Sequence, residues 1–268
     1  MNIAVILGSS SGGIGSHLAQ HILRSTALQV VALSSRPTSQ TLDALLSGSS
    51  NSSQWKDRVI PFQVDALSGS FDAQLQKAAR DVEQALGKNV RLIVCSSGIL
   101  HPEKSISQID PAHSIESYKL NTLSHLLTYK HFTPLIPTIK QFETKSSSDN
   151  FEDPAKGLLK PGLGACVSLS ARVGTGTPID PAVNQTIKTL NLELKNKKSS
   201  AISLAYHPGT TKTTLSSPFI SSSTPSSRSK GLFEPTEAVE ELVNVLSGLE
   251  REKDGGGFRD WKGDEVPW

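Results

Sequence analysis

Sulfur, tyrosine and unbalanced charge are all scarce in this chain of 268 residues, and each scarcity excludes something. Only two cysteines are present, Cys95 and Cys166, so no disulfide framework holds the fold. Each lies in or at the end of an apolar run (Leu92 to Cys95, Ala165 to Val167), a setting that suits a small core residue better than a bridge or a metal ligand. A reducing, cytoplasmic location is the expectation. Charged residues make up 19% of the chain and the formal net charge is +2, so no strong field favours nucleic acid or an anionic membrane. No apolar run reaches membrane-spanning length. The first run is too short for a secretory leader, lacks a basic lead and is needed as a strand. Tyrosine occurs three times, as Tyr118, Tyr129 and Tyr206.

What is present is an alternation. Apolar, β-branched runs recur at Ile3 to Leu7, Leu28 to Leu33, Val59 to Val64, Val90 to Cys95, Ala165 to Leu169, Ala201 to Ala205 and, more weakly, Gly257 to Trp261. Helical periodicity fills the intervals, most clearly at Phe71 to Leu86, Ile115 to Phe132, Ala182 to Leu194 and Thr236 to Leu249. Continuous apolar strands alternating with helices predict a parallel sheet covered on both faces. The expectation is one α/β domain over 1–268, a doubly wound Rossmann fold with a parallel seven-stranded sheet. Three Ser-rich stretches interrupt it: Ser47 to Ser53 and Lys145 to Asp149 read as surface loops, the second opening a loop insertion over 145–162. Ser216 to Ser229 follows a strand end on the ligand side and reads as a lid.

The first strand ends in Gly8-Ser9-Ser10-Ser11-Gly12-Gly13-Ile14-Gly15, and Leu18, Ala19, Ile22 and Leu23 follow at helical spacing. Strand, Gly-rich turn and helix form the context in which backbone N–H groups at a helix start meet a phosphate and glycines let the backbone come close. A tight connection with no ligand is the alternative. Ligands in open α/β sheets lie across the carboxyl ends of the strands. Ser34-Ser35-Arg36 follows the second strand, and an arginine there accommodates a 2′-phosphate where a carboxylate would hold ribose hydroxyls. Arg36 therefore favours NADP(H) over NAD(H), a solvated loop arginine being the other reading. Asp65 follows the third strand, where the adenine edge should pass, and Ser96-Ser97-Gly98 follows the fourth as a small-residue turn.

In these features the chain resembles the short-chain dehydrogenase/reductase family over nearly its whole length. The family's TGxxxGxG turn keeps its spacing from Ser9 to Gly15, with its first two letters replaced by Gly8 and Ser9. The resemblance implies cofactor contacts at Gly8, Ser9, Ser11, Gly13, Ile14 and Gly15, and an adenine contact at Asp65. It implies that Ser97-Gly98 ends an NNAG-like turn, and that Pro208-Gly209 with Thr211 and Thr213 meets the nicotinamide carboxamide. Asn121 falls at the helix asparagine of a water-linked proton relay. Leu169 to Gly174 and the ending Gly257 to Trp268 resemble the C-factor-like subgroup. Pairing of the helices after the fourth and fifth strands, with Leu123, Leu126 and Leu127 apolar, implies a homodimer or homotetramer. A core stripe explains those leucines equally well.

Family members reduce carbonyls or oxidise alcohols, with a Ser orienting the substrate oxygen and a YxxxK pair on the next helix handling the proton. The residues four beyond the tyrosines here are Thr122, Thr133 and Thr210, so the chain contains no YxxxK. In register with the family helix, Gly176 takes the Tyr position and Asp180 the Lys position. An alternative register placing Asn184 and Lys188 there would leave the helix short of the strand it must cover. Asp180-Pro181 reads as an N-cap followed by a first helical proline. Ser170 is the candidate substrate-orienting serine, although strict alignment puts Ala171 at that position. The stretch from Ser170 to Asp180 is short against the family's substrate loop, which fits either a non-catalytic relative or a gene model that lost a segment. Two functions follow: an NADP(H)-dependent carbonyl or alcohol oxidoreductase, or a non-catalytic dinucleotide-binding sensor or partner subunit. A domain destabilised by the shortened loop, binding nothing, is a third outcome.

Overall fold

The computed structural model describes residues 2–9, 12–47, 52–101, 105–147, 151–172, 179–217, 220 and 225–267. Among them, seven strands form one parallel sheet: β1 (Ile3–Leu7), β2 (Gln29–Ser34), β3 (Val59–Gln63), β4 (Val90–Cys95), β5 (Gly164–Leu169), β6 (Ala201–His207) and β9 (Gly257–Asp260). Their spatial order is β3-β2-β1-β4-β5-β6-β9, the doubly wound order expected from the alternation. The order reverses between β1 and β4, where Leu7 lies beside both Leu33 and Cys95. In doubly wound sheets ligands bind outside the carboxyl ends of the strands at such a switch point. A short parallel pair, β7 (Thr210–Thr211) and β8 (Leu232–Phe233), lies just past the end of β6.

Both faces are covered, which is why the strands read as unbroken apolar runs. Because successive strand side chains point to opposite faces, Ala4 and Ile6 pack with α1 (Ile14–Ser25) and α9 (Pro235–Gly248) through Leu18, Ile22, Val239 and Leu242. Ile3, Val5 and Leu7 pack the other way, with Leu75 and Val82 of α4 (Phe71–Leu86), Phe132 of α6 (Ser124–Phe132) and Ile187 of α8 (Ile179–Asn196). Shorter helices complete the chain: α2 (Thr38–Leu46), α3 (Ser52–Lys56), α5 (Pro111–Tyr118), α7 (Ile139–Ser146) and α10 (Arg251–Asp254). Among the described residues no helix is long and apolar enough to cross a membrane.

Three local expectations are corrected. The single helix expected from Ile115 to Phe132 is α5 and α6 joined by a π-helical turn, Lys119–Leu123. Helix α8 begins at Ile179, so Asp180 is a helical residue and not the N-cap; Pro181 is tolerated because first-turn N–H groups have no intrahelical acceptor. The first two Ser-rich stretches are not loop throughout: Ser52 and Ser53 open α3, and Lys145 and Ser146 close α7.

Candidate functional site

The Gly-rich turn is built by close backbone approach. Gly8 has φ +87°, and a Cβ there would lie 2.9 Å from the Ser97 backbone nitrogen. A Cβ on Gly15 would lie 2.5 Å from the Gly8 carbonyl oxygen and collide with Ser96 Oγ. Only glycine lets α1 start this near the ends of β1 and β4. Gly12 has φ +72° and, among the described residues, nothing within 4 Å of where its Cβ would be, so toward them the backbone faces open space. Gly13 is the N-cap of α1 with no side-chain cap hydrogen bond, and Ile14 and Gly15 are buried in the first turn. Ser9 is buried and its hydroxyl donates to the Leu33 carbonyl at 3.3 Å, tying the turn to the end of β2. Ser11 lies outside the described residues.

Along the rest of the edge, Arg36 is exposed, and its backbone N–H donates to Ser34 Oγ at 3.1 Å. Asp65 is exposed as well; its Oδ1 accepts from the Leu67 N–H at 3.0 Å and its own N–H donates to Gln74 Oε1. Ser97 turns inward, with its hydroxyl 3.0 Å from Ser124 Oγ and 3.4 Å from the Leu120 carbonyl. A Cβ on Gly98 would sit at ordinary contact, 3.6 Å, from Asn121 Oδ1. Asn121 lies in the π-helical turn, and its amide brackets Ile99, accepting from the Ile99 N–H at 2.8 Å and donating to the Ile99 carbonyl at 2.9 Å.

Past β6, Pro208 and Gly209 turn the chain at φ +70°, and a Cβ on Gly209 would strike Phe233 at 2.6 Å and the Gly231 carbonyl oxygen at 2.7 Å. Thr211 is buried and its Oγ1 has no hydrogen-bond partner among the described residues. The Thr213 N–H donates to Ser216 Oγ at 3.1 Å, within the stretch read as a lid, of which 218–219 and 221–224 lie outside the described residues.

At the end of β5, Ser170 is buried and donates to Asn184 Oδ1 at 2.8 Å, which brings together the candidate serine and a residue of the rejected register. The amide carries no titratable proton, so this pairing cannot do the work of a tyrosine. His207 follows on β6, and its Nδ1 is buried and unpartnered among the described residues. Burial, then the positive charge of Arg172, pull His207 down to about 4 against the Ser170 and Asp260 contacts, so the ring is neutral near pH 7. Gly176 lies outside the described residues, and Asp180 occupies the start of α8.

The two stretches that carry the subgroup resemblance meet here. Arg172 forms an ion pair with Asp260, which is fully buried, and its guanidinium carbon sits 5.0 Å from the centroid of the Trp261 ring. Trp261 in turn presents an edge-to-face contact to His207 at 5.5 Å. Sequence reasoning placed the two stretches separately, because a contact across 88 residues leaves no local periodicity.

Between α6 and α8 runs a groove of about 560 Å³, lined by Leu126, Lys130, Thr133, Gln185, Thr189 and Glu193 among others. Leu123 and Leu126 are exposed at its side of the fold, whereas Leu127 packs against the core.

Comparison of the sequence with protein-family models and with curated proteins finds no match. Comparison of the structure does. An NADPH-bound carbonyl reductase from chicken fatty liver is 19% identical, with a TM-score of 0.74 over 99% of this chain and 98% of that one. The carbonyl reductase Sniffer of D. melanogaster gives the same identity and TM-score over the whole of both chains. A short-chain dehydrogenase from Salmonella enterica serovar Typhi is 17% identical, with a TM-score of 0.74 over 97% and 96%. At such identities the likeness is one of fold, extending end to end.

Proposed function

We propose that this chain is an NADP(H)-binding protein of the short-chain dehydrogenase/reductase family, on the carbonyl and alcohol oxidoreductase scaffold, and that it lacks the Tyr–Lys proton donor of that scaffold. The observation that carries the binding half is the cradle at Gly12: a left-handed glycine facing open space beside an uncapped helix start among the described residues. Thr211, with a buried hydroxyl in want of a partner on the Pro208-Gly209 side, fits the same group from the other end. The chicken carbonyl reductase of the same fold carries NADPH.

The residues divide the work. Gly12, Gly13 and the first turn of α1 would hold the pyrophosphate, Arg36 the 2′-phosphate, Asp65 the adenine edge, Ser97-Gly98 the ribose, and Thr211 and Thr213 the carboxamide. When bound, the cofactor supplies the hydride. Ser170 would orient a carbonyl oxygen only by turning its hydroxyl away from Asn184, and no Tyr–Lys pair follows it in the sequence to move the proton. Loss of a general acid slows such a reaction by about 10²–10⁴.

Thermal denaturation with and without cofactor tests the binding half: NADPH at 100 times Kd should stabilise by about 2.7 kcal/mol. No shift with NADPH or NADH removes the reading. NADPH oxidation against a panel of ketones and aldehydes tests the other half; turnover at ordinary reductase rates would restore the enzyme reading over that of a sensor or partner subunit. The exposed leucines beside the α6–α8 groove support a homodimer through these helices, read as molar mass by light scattering.

A further inference from the structure

Beneath the Ser97-Gly98 turn lies a chain of buried polar groups that the proposed function does not use. His125, on α6, is fully buried, with Nε2 3.1 Å from the Ser97 carbonyl oxygen and Nδ1 3.1 Å from Ser168 Oγ. Ser168 Oγ is in turn 2.8 Å from the hydroxyl of Tyr129, itself buried. Tyr129 belongs to the same buried cluster as Cys95, on the strand that leads into Ser97.

The proton order in this chain is fixed by elimination. A carbonyl oxygen only accepts, so Nε2 must carry the hydrogen that faces Ser97. Burial pulls His125 down to about 4 despite the Ser97 carbonyl, so the ring is neutral and Nδ1 is an acceptor. The Ser168 hydroxyl therefore donates to Nδ1, and Tyr129 donates to Ser168. Each bond polarises the next in the same direction, a cooperative arrangement in a dry interior. Its end point is one backbone carbonyl.

We propose that His125 is a positioning residue: locked as the Nε2–H tautomer, it holds the Ser97 carbonyl inward and thereby sets the backbone of the Ser97-Gly98 turn against which the cofactor ribose lies. This rests on the reading of that turn as part of the cofactor site. With the carbonyl drawn into the protein and the Ser97 hydroxyl committed to Ser124 and Leu120, Gly98 is the member of the turn left to face a ligand.

Two polar substitutions separate positioning from stability. In H125Q the side-chain amide reaches the place of Nε2 and keeps a donor on the Ser97 carbonyl; in H125N the amide stops at the place of Nδ1 and leaves that carbonyl unpaired. Both should lower the melting temperature, but H125N should weaken NADPH binding by about tenfold, the cost of one hydrogen bond, while H125Q stays near the unmodified protein. Nitrogen-15 NMR of the imidazole should show Nε2 protonated and Nδ1 bare, and the Ser97 and Gly98 amide signals should move in H125N alone. Equal affinities in the two variants, or an Nδ1–H tautomer, overturn the positioning role. If the unmodified protein binds no NADPH, the cofactor reading of the turn falls, and that result is independent of the tautomer.

Discussion

Gly15 and Arg36 mark opposite ends of what one residue can do at this edge. Gly15 has no room for a single added carbon against the Gly8 carbonyl and Ser96. Gly15→Ala should cost about 1–3 kcal/mol through forced displacement of backbone, read as a lowered urea midpoint with unchanged slope. Gly12→Ala should cost about 1–2 kcal/mol through backbone strain, because no described residue crowds its Cβ. A Gly12 variant as damaged as the Gly15 variant would mean that the open space is not open. Arg36 is exposed and contributes nothing to the core. Arg36→Leu should leave stability within about 0.5 kcal/mol, weaken NADPH binding, and leave NADH binding unchanged in parallel titrations. An equal loss for both cofactors would remove the 2′-phosphate role.

At the scale of elements, what could be read from the sequence was whatever repeats with a period. Strands β1 and β4 and helix α4 lie at the bounds that periodicity gives, and the other strands of the sheet are displaced from expectation by one or two residues at one or both ends. The π-helical turn at Lys119–Leu123 was not legible, because one added residue per turn shifts the apolar phase by too little to register in a short window. Its consequence is concrete, since Asn121 sits within it and spends both ends of its amide on Ile99. Asn121→Leu should therefore cost about 1–3 kcal/mol by leaving two backbone groups unpaired, and should shift the Ile99 amide signal by NMR. The glycine turn and the strand-end residues that we propose for the cofactor were legible as positions from glycine spacing and apolar runs; the Tyr129-Ser168-His125 chain was not, since its members are brought together by strand pairing and by packing of α6 on the sheet. Arg172 with Asp260 is a second case of the same kind.

For the molecule as a whole, two histidines set a pH response. His125 and His207 are both held at about 4 in the fold by burial, against an ordinary value of 6.5. Between those values the unfolded chain binds more protons than the folded one, so stability is complete above about pH 6.5 and falls as pH drops toward 4. The slope should approach about 1.4 kcal/mol per pH unit for the fully buried His125, and less for the partly buried His207. Urea midpoints at pH 7, 6 and 5 measure it, and His125→Gln and His207→Gln should each flatten the curve. A midpoint that stays level from pH 7 to 5 would mean that neither ring is held below its ordinary value in the fold.

The sheet order also bears on how the protein is made. Strands β1, β2, β3 and β4, which carry the glycine turn, Arg36, Asp65 and Ser97, are contiguous in the sheet and precede its other strands in the chain, whereas β9, which anchors Arg172 through Asp260, comes last of the seven. A nascent chain can thus assemble the glycine-turn half of the edge before the strands of the other half have been made. If that half is the NADPH site we propose, cofactor present during synthesis would meet a partly built receptor, and its supply would act as a lever on the yield of folded protein.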